Sequence, residues 1–176
     1  TEFLKWREIK ARYGESGILE PPDPALYTDD TQMTLALAEG LIDADEADPD
    51  AVMRKVGPQF VAWLHSAENN RAPGRTCIEG VQRYEQGMAW QEAGLAGSKG
   101  CGSAMRVAPI GYLCQHDPER LRALATASSL ITHRHPAAIA ASIGAAYLVK
   151  LALDGAAPDT YLSQVAVFTQ GISEEY

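Results

Sequence analysis

Two adjacent carboxylates and two hydroxyls lie together in the sequence Tyr-Thr-Asp-Asp-Thr-Gln-Met at residues 27–33. A proline-rich stretch precedes them and a helical pattern follows, so they fall at a predicted helix N-terminus. Side chains that diverge along a regular helix can converge on one ion at this point, and oxygen ligands suit Mg²⁺ or Mn²⁺ rather than zinc. The alternative, which spacing alone favours, is that Thr28 or Asp29 caps the helix and the acids complement its dipole.

A second segment, Gly-Ser-Lys-Gly-Cys-Gly-Ser at residues 97–103, contains three glycines within six positions. Glycine lets backbone N–H groups turn inward, and a helix predicted to begin at Ser103 would direct its positive end at the same space. The pattern is compatible with a phosphate-binding loop, although it lacks the GxxxxGK[ST] spacing of a Walker loop. The alternative is a flexible connector. Arg106 follows, either to bind an anion or to fix the loop to a carboxylate.

Two histidines, His133 and His135, lie at a junction between two predicted helices. A zinc site would need further ligands, and no cysteine or third histidine lies at a useful spacing. Because His135 precedes Pro136, we assign it to the N-terminus of the next helix. A solvent-exposed junction is the default interpretation for both side chains.

The elements that must position these residues have a helical pattern. Met33, Leu37 and Leu41 recur at i, i+4 and i+8, and no alternating run of apolar and polar residues requires a sheet. The sequence predicts helices near residues 6–13, 30–43, 48–67 and 76–84, and further helices from 103, from 117, over 135–154 and from 158.

Local signals set the starts of several of these helices. Asp48 and Asp117 each precede a proline, the pattern of an N-cap followed by proline at the first helical position. Thr76 and Glu79 fit a capping box. The prediction is a compact all-α bundle.

The composition bounds the remaining possibilities. The chain has 176 residues, 46% of them hydrophobic, and a net charge of −8, which argues against a nucleic-acid or anionic-membrane surface. The three cysteines, Cys77, Cys101 and Cys114, show no CxxC pairing, so we expect a reducing cytoplasm. No apolar stretch approaches the roughly 20 residues that span a bilayer. Because the chain starts without methionine, we expect that residues precede it.

In their order and spacing, the motifs resemble the ADP-ribosylglycohydrolase family. The resemblance rests on residues 27–33, on Gly-Cys-Gly-Ser-Ala-Met-Arg at 100–106 and on Ile-Thr-His at 131–133, with support from Ala-Pro-Gly-Arg-Thr at 72–76 and Val-Ala-Pro-Ile-Gly at 107–111. It implies one domain over residues 1–176, an all-α orthogonal helical bundle, and two Mg²⁺ or Mn²⁺ ions. The implied activity is hydrolysis of the N- or O-glycosidic bond that links ADP-ribose to a protein side chain or small acceptor.

The resemblance also assigns roles to residues. Thr28, Asp29 and Asp30 match half of the metal ligands, and Glu2 matches an acidic residue that assists proton transfer. Asp29 and Asp30 thereby become candidate catalytic residues with Glu2. His133 matches a histidine near a ribose. The residues that match the loop holding the diphosphate of ADP-ribose are Gly97, Ser98, Lys99, Gly100, Cys101, Gly102 and Ser103.

The sequence departs from the family pattern at two points. Cys101 stands where the family usually has asparagine, which removes an amide donor and acceptor. The Gly-Asp-Ala-x-Gly and Asp-x-Asp-Thr segments of relatives, the latter carrying the other metal ligands, do not occur in it. We therefore expect these 176 residues alone to be inactive or very weakly active. Two alternatives stay open: an ADP-ribose-binding module without catalysis, and a structural, crystallin-like use of the fold.

Overall fold

The computed structural model describes residues 4–21, 23–42, 44 and 48–174. Within these residues the chain forms nine α-helices and two 3₁₀ turns, the latter at Ala104–Arg106 and Pro158–Thr160. The helices are α1 Trp6–Tyr13, α2 Asp29–Ile42, α3 Pro49–Leu64, α4 Arg75–Glu85, α5 Trp90–Ala93, α6 Ala108–Leu113, α7 Pro118–Leu130, α8 Pro136–Leu153 and α9 Tyr161–Thr169. The prediction of an all-α fold is confirmed.

The core forms where α2 packs on α3 and where α8 packs on α6, α7 and α9. Met33, Leu37 and Leu41 on α2 are buried, as their spacing predicts, and they join Val56 and Phe60 of α3 in one apolar cluster. This arrangement fixes the N-terminus of α2, where the two adjacent acids lie. The helical core therefore positions one half of the candidate site.

Three helix starts agree with the local signals in the sequence. Asp48 accepts a hydrogen bond from the Asp50 N–H at 3.1 Å, and Asp117 accepts one from the Arg120 N–H at 3.0 Å. His135 caps α8, because its Nδ1 accepts the Ala137 N–H at 3.1 Å. Each cap satisfies a backbone donor that has no partner within its own helix.

Two predicted helix starts are wrong. The N-cap of α4 is Gly74 rather than Thr76, whose hydroxyl lies 3.1 Å from that of Ser98. The helix expected from Ser103 is only the 3₁₀ turn, and α6 begins afresh at Ala108. Pro109 explains the break between this turn and α6. It has no N–H to donate to the preceding turn, and proline is favoured in the first turn of a new helix.

Helix α8 corrects the prediction that no apolar stretch approaches the length of a membrane span. It has 18 residues and a mean hydropathy of 1.6, so among the described helices it alone is long and apolar enough to cross a membrane by length and composition. In the structure it packs against α6, α7 and α9, as a core helix does. Its buried residues are largely alanine, with Ser142, Ile143, Gly144 and Leu151.

Candidate functional site

The loop between α3 and α4 holds the N-terminus of α2. The Asp29 N–H donates to the Arg71 carbonyl at 2.9 Å, and the Gly74 N–H donates to Oδ2 of Asp29 at 2.9 Å. One turn further along α2, Nε2 of Gln32 donates to the Glu68 carbonyl at 2.9 Å. These long-range bonds fix where the acids point, and they show that the Asp29 carboxylate does more than cap its own helix.

The two acids are crowded and partly shielded from water. Asp29 is 5% exposed, and burial raises the pKa of its carboxyl group; the Gly74 N–H opposes this shift, and the charge of Asp30 adds to it. The Thr28 hydroxyl donates to Oδ2 of Asp30 at 2.9 Å. Thr28 is thus bonded to Asp30, and Asp30 lines the same cavity as Asp29, where a cation would relieve the repulsion between the two carboxylates.

The acids and the glycine-rich segment share one cavity of about 540 Å³. Its wall is formed by Asp29 and Asp30, by residues 72–77, by residues 100–102, and by Met105 and His133. A volume of this order suits a nucleotide-sized ligand. The structure therefore brings together the two segments that the sequence analysis identified independently.

The structure divides the glycine-rich segment into two parts. Residues 100–102 line the cavity, and Cys101 is exposed there. Gly97, Ser98 and Lys99 lie outside the cavity wall. The Ser98 hydroxyl supports the loop, since it lies 3.1 Å from the Thr76 hydroxyl and accepts the Gly100 N–H at 3.4 Å.

The last residue of the segment does not present its side chain to the cavity. Ser103 is fully buried, and its hydroxyl donates to the Ala138 carbonyl on α8 at 3.4 Å. No α-helix begins here, so the expected contribution of a helix dipole to anion binding is wrong. Any anion at this loop depends on its backbone and on nearby cationic side chains.

His133 is buried rather than solvent-exposed, which corrects the default interpretation. It is 1% exposed, because a bridge between Leu95 and His133 holds the two chain segments together. The Leu95 N–H donates to the Thr132 carbonyl at 2.9 Å, and the Arg134 N–H donates to the Leu95 carbonyl at 3.1 Å. Burial, reinforced by the charge of Arg106, lowers the pKa of His133 to about 4, so its imidazole is neutral at neutral pH.

Gly102 makes this burial possible. A Cβ atom there would lie 2.6 Å from Sγ of Cys77 and 2.9 Å from Cε1 of His133, which are closer than real Cβ contacts. The absence of a side chain lets the loop backbone lie directly against the imidazole and the thiol. Glycine at this position is therefore required by close packing.

Arg106 lies beneath the cavity, where it binds neither an external anion nor a carboxylate, in contrast to both sequence-based alternatives. It is fully buried and donates to the Ser128 carbonyl, to Thr132 Oγ1 at 2.9 Å and to the Gly102 carbonyl at 3.3 Å. Its guanidinium group lies 4.6 Å from the ring centroid of Phe60, a cation–π contact. Burial lowers the pKa of Arg106 to about 10, which leaves it charged at neutral pH.

Several residues of the cavity wall were not predicted from the sequence. Arg75 is exposed and lines the cavity with the acids, and Cys77 is 1% exposed. Arg75 lies within the Ala-Pro-Gly-Arg-Thr segment, which was the available signal. The sequence gave no signal for Cys77, because a single cysteine among apolar residues is typical of a protein core.

Glu2 lies outside the described residues. The donors that remain for a hard cation are the oxygens of Thr28, Asp29 and Asp30, which fit Mg²⁺ or Mn²⁺ in chemistry but fall short of six ligands. No group of three His, Cys, Asp or Glu side chains within the described part of the chain is arranged to hold a metal ion. The described residues thus fit half of a site for such a cation.

Comparisons of the sequence with known proteins give one family and several relatives. A sequence model of the ADP-ribosylglycohydrolase family matches residues 1–176. Over 148 residues the chain is 30% identical to the ADP-ribosyl-[dinitrogen reductase] glycohydrolase of Rhodospirillum rubrum, which covers 81% of this chain and 48% of that protein. An uncharacterised protein of Archaeoglobus fulgidus is 29% identical over 85% of this chain and 48% of its own length. Escherichia coli YegU, also uncharacterised, is 30% identical over 74% and 39%. The chain thus spans about half the length, or less, of these relatives.

Proposed function

Because the chain belongs to the ADP-ribosylglycohydrolase family, we propose that it forms the substrate-holding part of an enzyme that hydrolyses the bond between ADP-ribose and an acceptor. The family supports hydrolysis of ADP-ribose linkages in general. The acceptor in this proposal is a modified protein, as the name of the Rhodospirillum rubrum relative describes for dinitrogen reductase, or a small molecule.

The observation that carries this proposal is the shared cavity. Asp29 and Asp30 line the same space of about 540 Å³ as residues 100–102. A hydrolase of this class needs positive charge near the ribose and a binding site for the diphosphate. The acids at one end of the cavity can bind a cation, and the backbone of the loop at the other end can bind the diphosphate. If the acids only capped a helix and the glycine-rich segment were only a connector, nothing would require them to line the same cavity.

At the acidic end, Thr28, Asp29 and Asp30 would hold Mg²⁺ or Mn²⁺. Such a cation supplies charge that orients the ribose hydroxyls and stabilises the breaking glycosidic bond. The Gly74 N–H holds Oδ2 of Asp29 in place, so the carboxylate is already oriented before any ligand arrives. Both metal use and the role of Glu2 as proton carrier are parts of this proposal.

At the glycine-rich end, the backbone of residues 100–102 approaches the substrate closely. Arg75 adds an exposed cation at the cavity, and it offers the bidentate geometry that suits a phosphate group. The diphosphate would lie between Arg75 and this loop, and the ribose next to the acceptor would extend toward Asp30.

The experiment measures release of ADP-ribose from ADP-ribosylated protein and from an ADP-ribosylated small molecule, with Mg²⁺ and with a chelator. It uses the protein as its gene encodes it. Asp30→Asn is the test variant, and Asp159→Asn, an exposed acid in the 3₁₀ turn before α9, is the matched control. We expect Mg²⁺-dependent release that Asp30→Asn reduces at least about 100-fold, a loss of the size seen for groups that stabilise the transition state.

Three results would reject the proposal. One is release that proceeds equally with the chelator, and another is release that Asp30→Asn leaves unchanged. The third is binding of ADP-ribose without release from either substrate, which would identify a binding module.

A further inference from the structure

We propose that a groove between α2 and α3 binds a basic segment of the ADP-ribosylated acceptor protein, beside the cavity for ADP-ribose. The groove has a volume of about 300 Å³, and its wall includes Tyr27, Leu35, Glu39, Trp63 and Glu68. This inference rests on the proposed function and deepens it, because it selects a protein rather than a small molecule as the acceptor. The basic residue in the groove is a neighbour of the modified residue and not the modified residue itself.

The groove and the cavity are built from the same two pieces of chain. At the start of α2, Tyr27 lines the groove and Asp30 lines the cavity; in the loop after α3, Glu68 lines the groove and residues 72–74 line the cavity. Among the described residues none lines both spaces. Tyr27 lies three positions before Asp30, a span of at most about 11 Å. A polypeptide modified at the cavity therefore reaches the groove within a few residues.

Two carboxylates give the groove its charge. Glu39 and Glu68 are exposed, and no Lys, Arg or His side chain in the described part of the chain forms an ion pair with either of them. Oε2 of Glu68 accepts only a neutral donor, the Tyr27 hydroxyl at 3.0 Å. The Arg71 guanidinium lies 5.0 Å from the centroid of the Tyr27 ring, but Arg71 does not line the groove. A partner that complements this surface carries positive charge.

Apolar side chains line the groove together with the acids. Leu35 is 56% exposed and Tyr27 is 44% exposed, although both are large apolar or aromatic residues. A lysine or arginine can lay its methylene groups along such a surface while its charged end reaches a carboxylate. A metal ion would need a shell of oxygen ligands instead. The mixed wall therefore suits a basic side chain of a polypeptide.

The wall of the groove is held in place before any partner binds. The side-chain amide of Gln32 bridges it, since its Oε1 accepts Nε1–H of Trp63 at 3.4 Å and its Nε2 donates to the Glu68 carbonyl at 2.9 Å. The same loop accepts the Asp29 N–H through the Arg71 carbonyl at 2.9 Å. The groove and the acids of the cavity thus keep a fixed relation, and little ordering is needed when an acceptor binds across both.

The first test is peptide binding by fluorescence anisotropy at low ionic strength, with the protein as its gene encodes it. The probe is a fluorescein-labelled pentapeptide with two lysines, and the control peptide has glutamine in both places. We expect the wild type to bind the lysine peptide about fivefold more tightly, the order of two exposed ion pairs. The double variant Glu39→Gln/Glu68→Gln, which keeps an acceptor for the Tyr27 hydroxyl, should lose this preference. Glu119→Gln, an exposed acid in the first turn of α7, is the matched control and should keep it.

Three binding results would overturn the inference. One is equal binding of the two peptides by the wild type, and another is a preference for the lysine peptide that the double variant retains. The third is competition by putrescine at the same concentration as the unlabelled lysine peptide and to the same extent, which would identify a small polyamine as the occupant.

The second test measures release of ADP-ribose from a modified peptide with a lysine three residues from the modified position, from the same peptide with glutamine there, and from an ADP-ribosylated small molecule. The double variant should raise KM about fivefold for the lysine peptide alone and leave kcat unchanged, because the groove contributes binding and no chemistry. An equal KM in wild type and double variant for the lysine peptide overturns the inference and leaves the proposed function intact. Absence of release from all three substrates by the wild type rejects the proposed function, and with it the role of the groove in acceptor binding.

Discussion

The backbone N–H of Gly74 donates to Oδ2 of Asp29 at 2.9 Å, across 45 positions of sequence. This bond ties the start of α2 to the start of α4, so one acid of the half-site is fixed by the wall of the cavity that it lines. Ala72, two residues before Gly74, adopts a left-handed backbone with φ of +56°, an uncommon conformation for a residue with a side chain. Such strain at a cavity wall accompanies binding sites more often than plain connectors.

The close packing at Gly102 gives a first prediction. Gly102→Ala should lower the free energy of unfolding by about 2 kcal/mol, in the range seen for overpacking, and should weaken ADP-ribose binding. Gly97→Ala is the matched control, since a Cβ there meets nothing within 4 Å and should cost less than about 0.5 kcal/mol. Urea unfolding of the two variants makes the comparison, and equal stabilities would contradict the packing described.

Removal of Arg106 should be far more costly than removal of a surface arginine. Arg106→Met leaves the carbonyls of Ser128 and Gly102 without this donor, and the loss should exceed the relief of desolvation and reach about 3 kcal/mol. Arg83→Met, which breaks an exposed i,i+4 pair with Glu79, should cost less than about 1 kcal/mol. If chemical denaturation finds Arg106→Met as stable as wild type, the buried network does not hold the loop.

His133 should make the chain less stable in acid. Its pKa is about 4 when folded and 6.5 in the unfolded reference, so the unfolded state binds a proton first as pH falls. Stability from this group is therefore present above pH 6.5 and lost as pH falls toward 4, by roughly 3 kcal/mol in all. Unfolding free energies at pH 7 and pH 4.5 should differ less in His133→Asn, which does not titrate. The same pH dependence in both proteins would contradict the depressed pKa.

Thiol labelling offers a test of where ADP-ribose binds. Cys101 is exposed in the cavity wall, whereas Cys77 and Cys114 are buried, and burial raises the pKa of Cys77 to about 11. N-ethylmaleimide at neutral pH should therefore modify Cys101 first, and ADP-ribose should slow that reaction. Mass spectrometry identifies the labelled residue. Labelling of Cys101 at an unchanged rate under saturating ADP-ribose would place the ligand elsewhere.

Local signals predicted much of the helical frame. Asp48, Asp117 and His135 cap the helices that follow them because each cap depends on the next two or three residues only. Thr76 was assigned wrongly as a cap for the opposite reason. Its hydroxyl meets Ser98, a partner 22 positions away that no local pattern shows.

The segments that line the site were predicted from the sequence, but the buried side chains behind them were not. The acids and the glycine-rich loop were identified from residue types and spacing, and from the resemblance to a family. The burial of His133 was not, because it depends on Gly102 lacking a Cβ and on the bridge to Leu95. For Arg106 the sequence offered an anion or a carboxylate as the partner. Its actual partners are carbonyls and hydroxyls, which sequence alone does not place.

The central claim is that the oxygen ligands on α2 and the loop at residues 100–102 form one site. The most direct test is the affinity for ADP-ribose by calorimetry with and without Mg²⁺, for the wild type and for Asp29→Asn, which can still accept the Gly74 N–H. One shared site predicts that Mg²⁺ tightens binding by about tenfold or more in the wild type and has no effect in the variant. An affinity that is the same with and without Mg²⁺ in the wild type, and unchanged by Asp29→Asn, would contradict it.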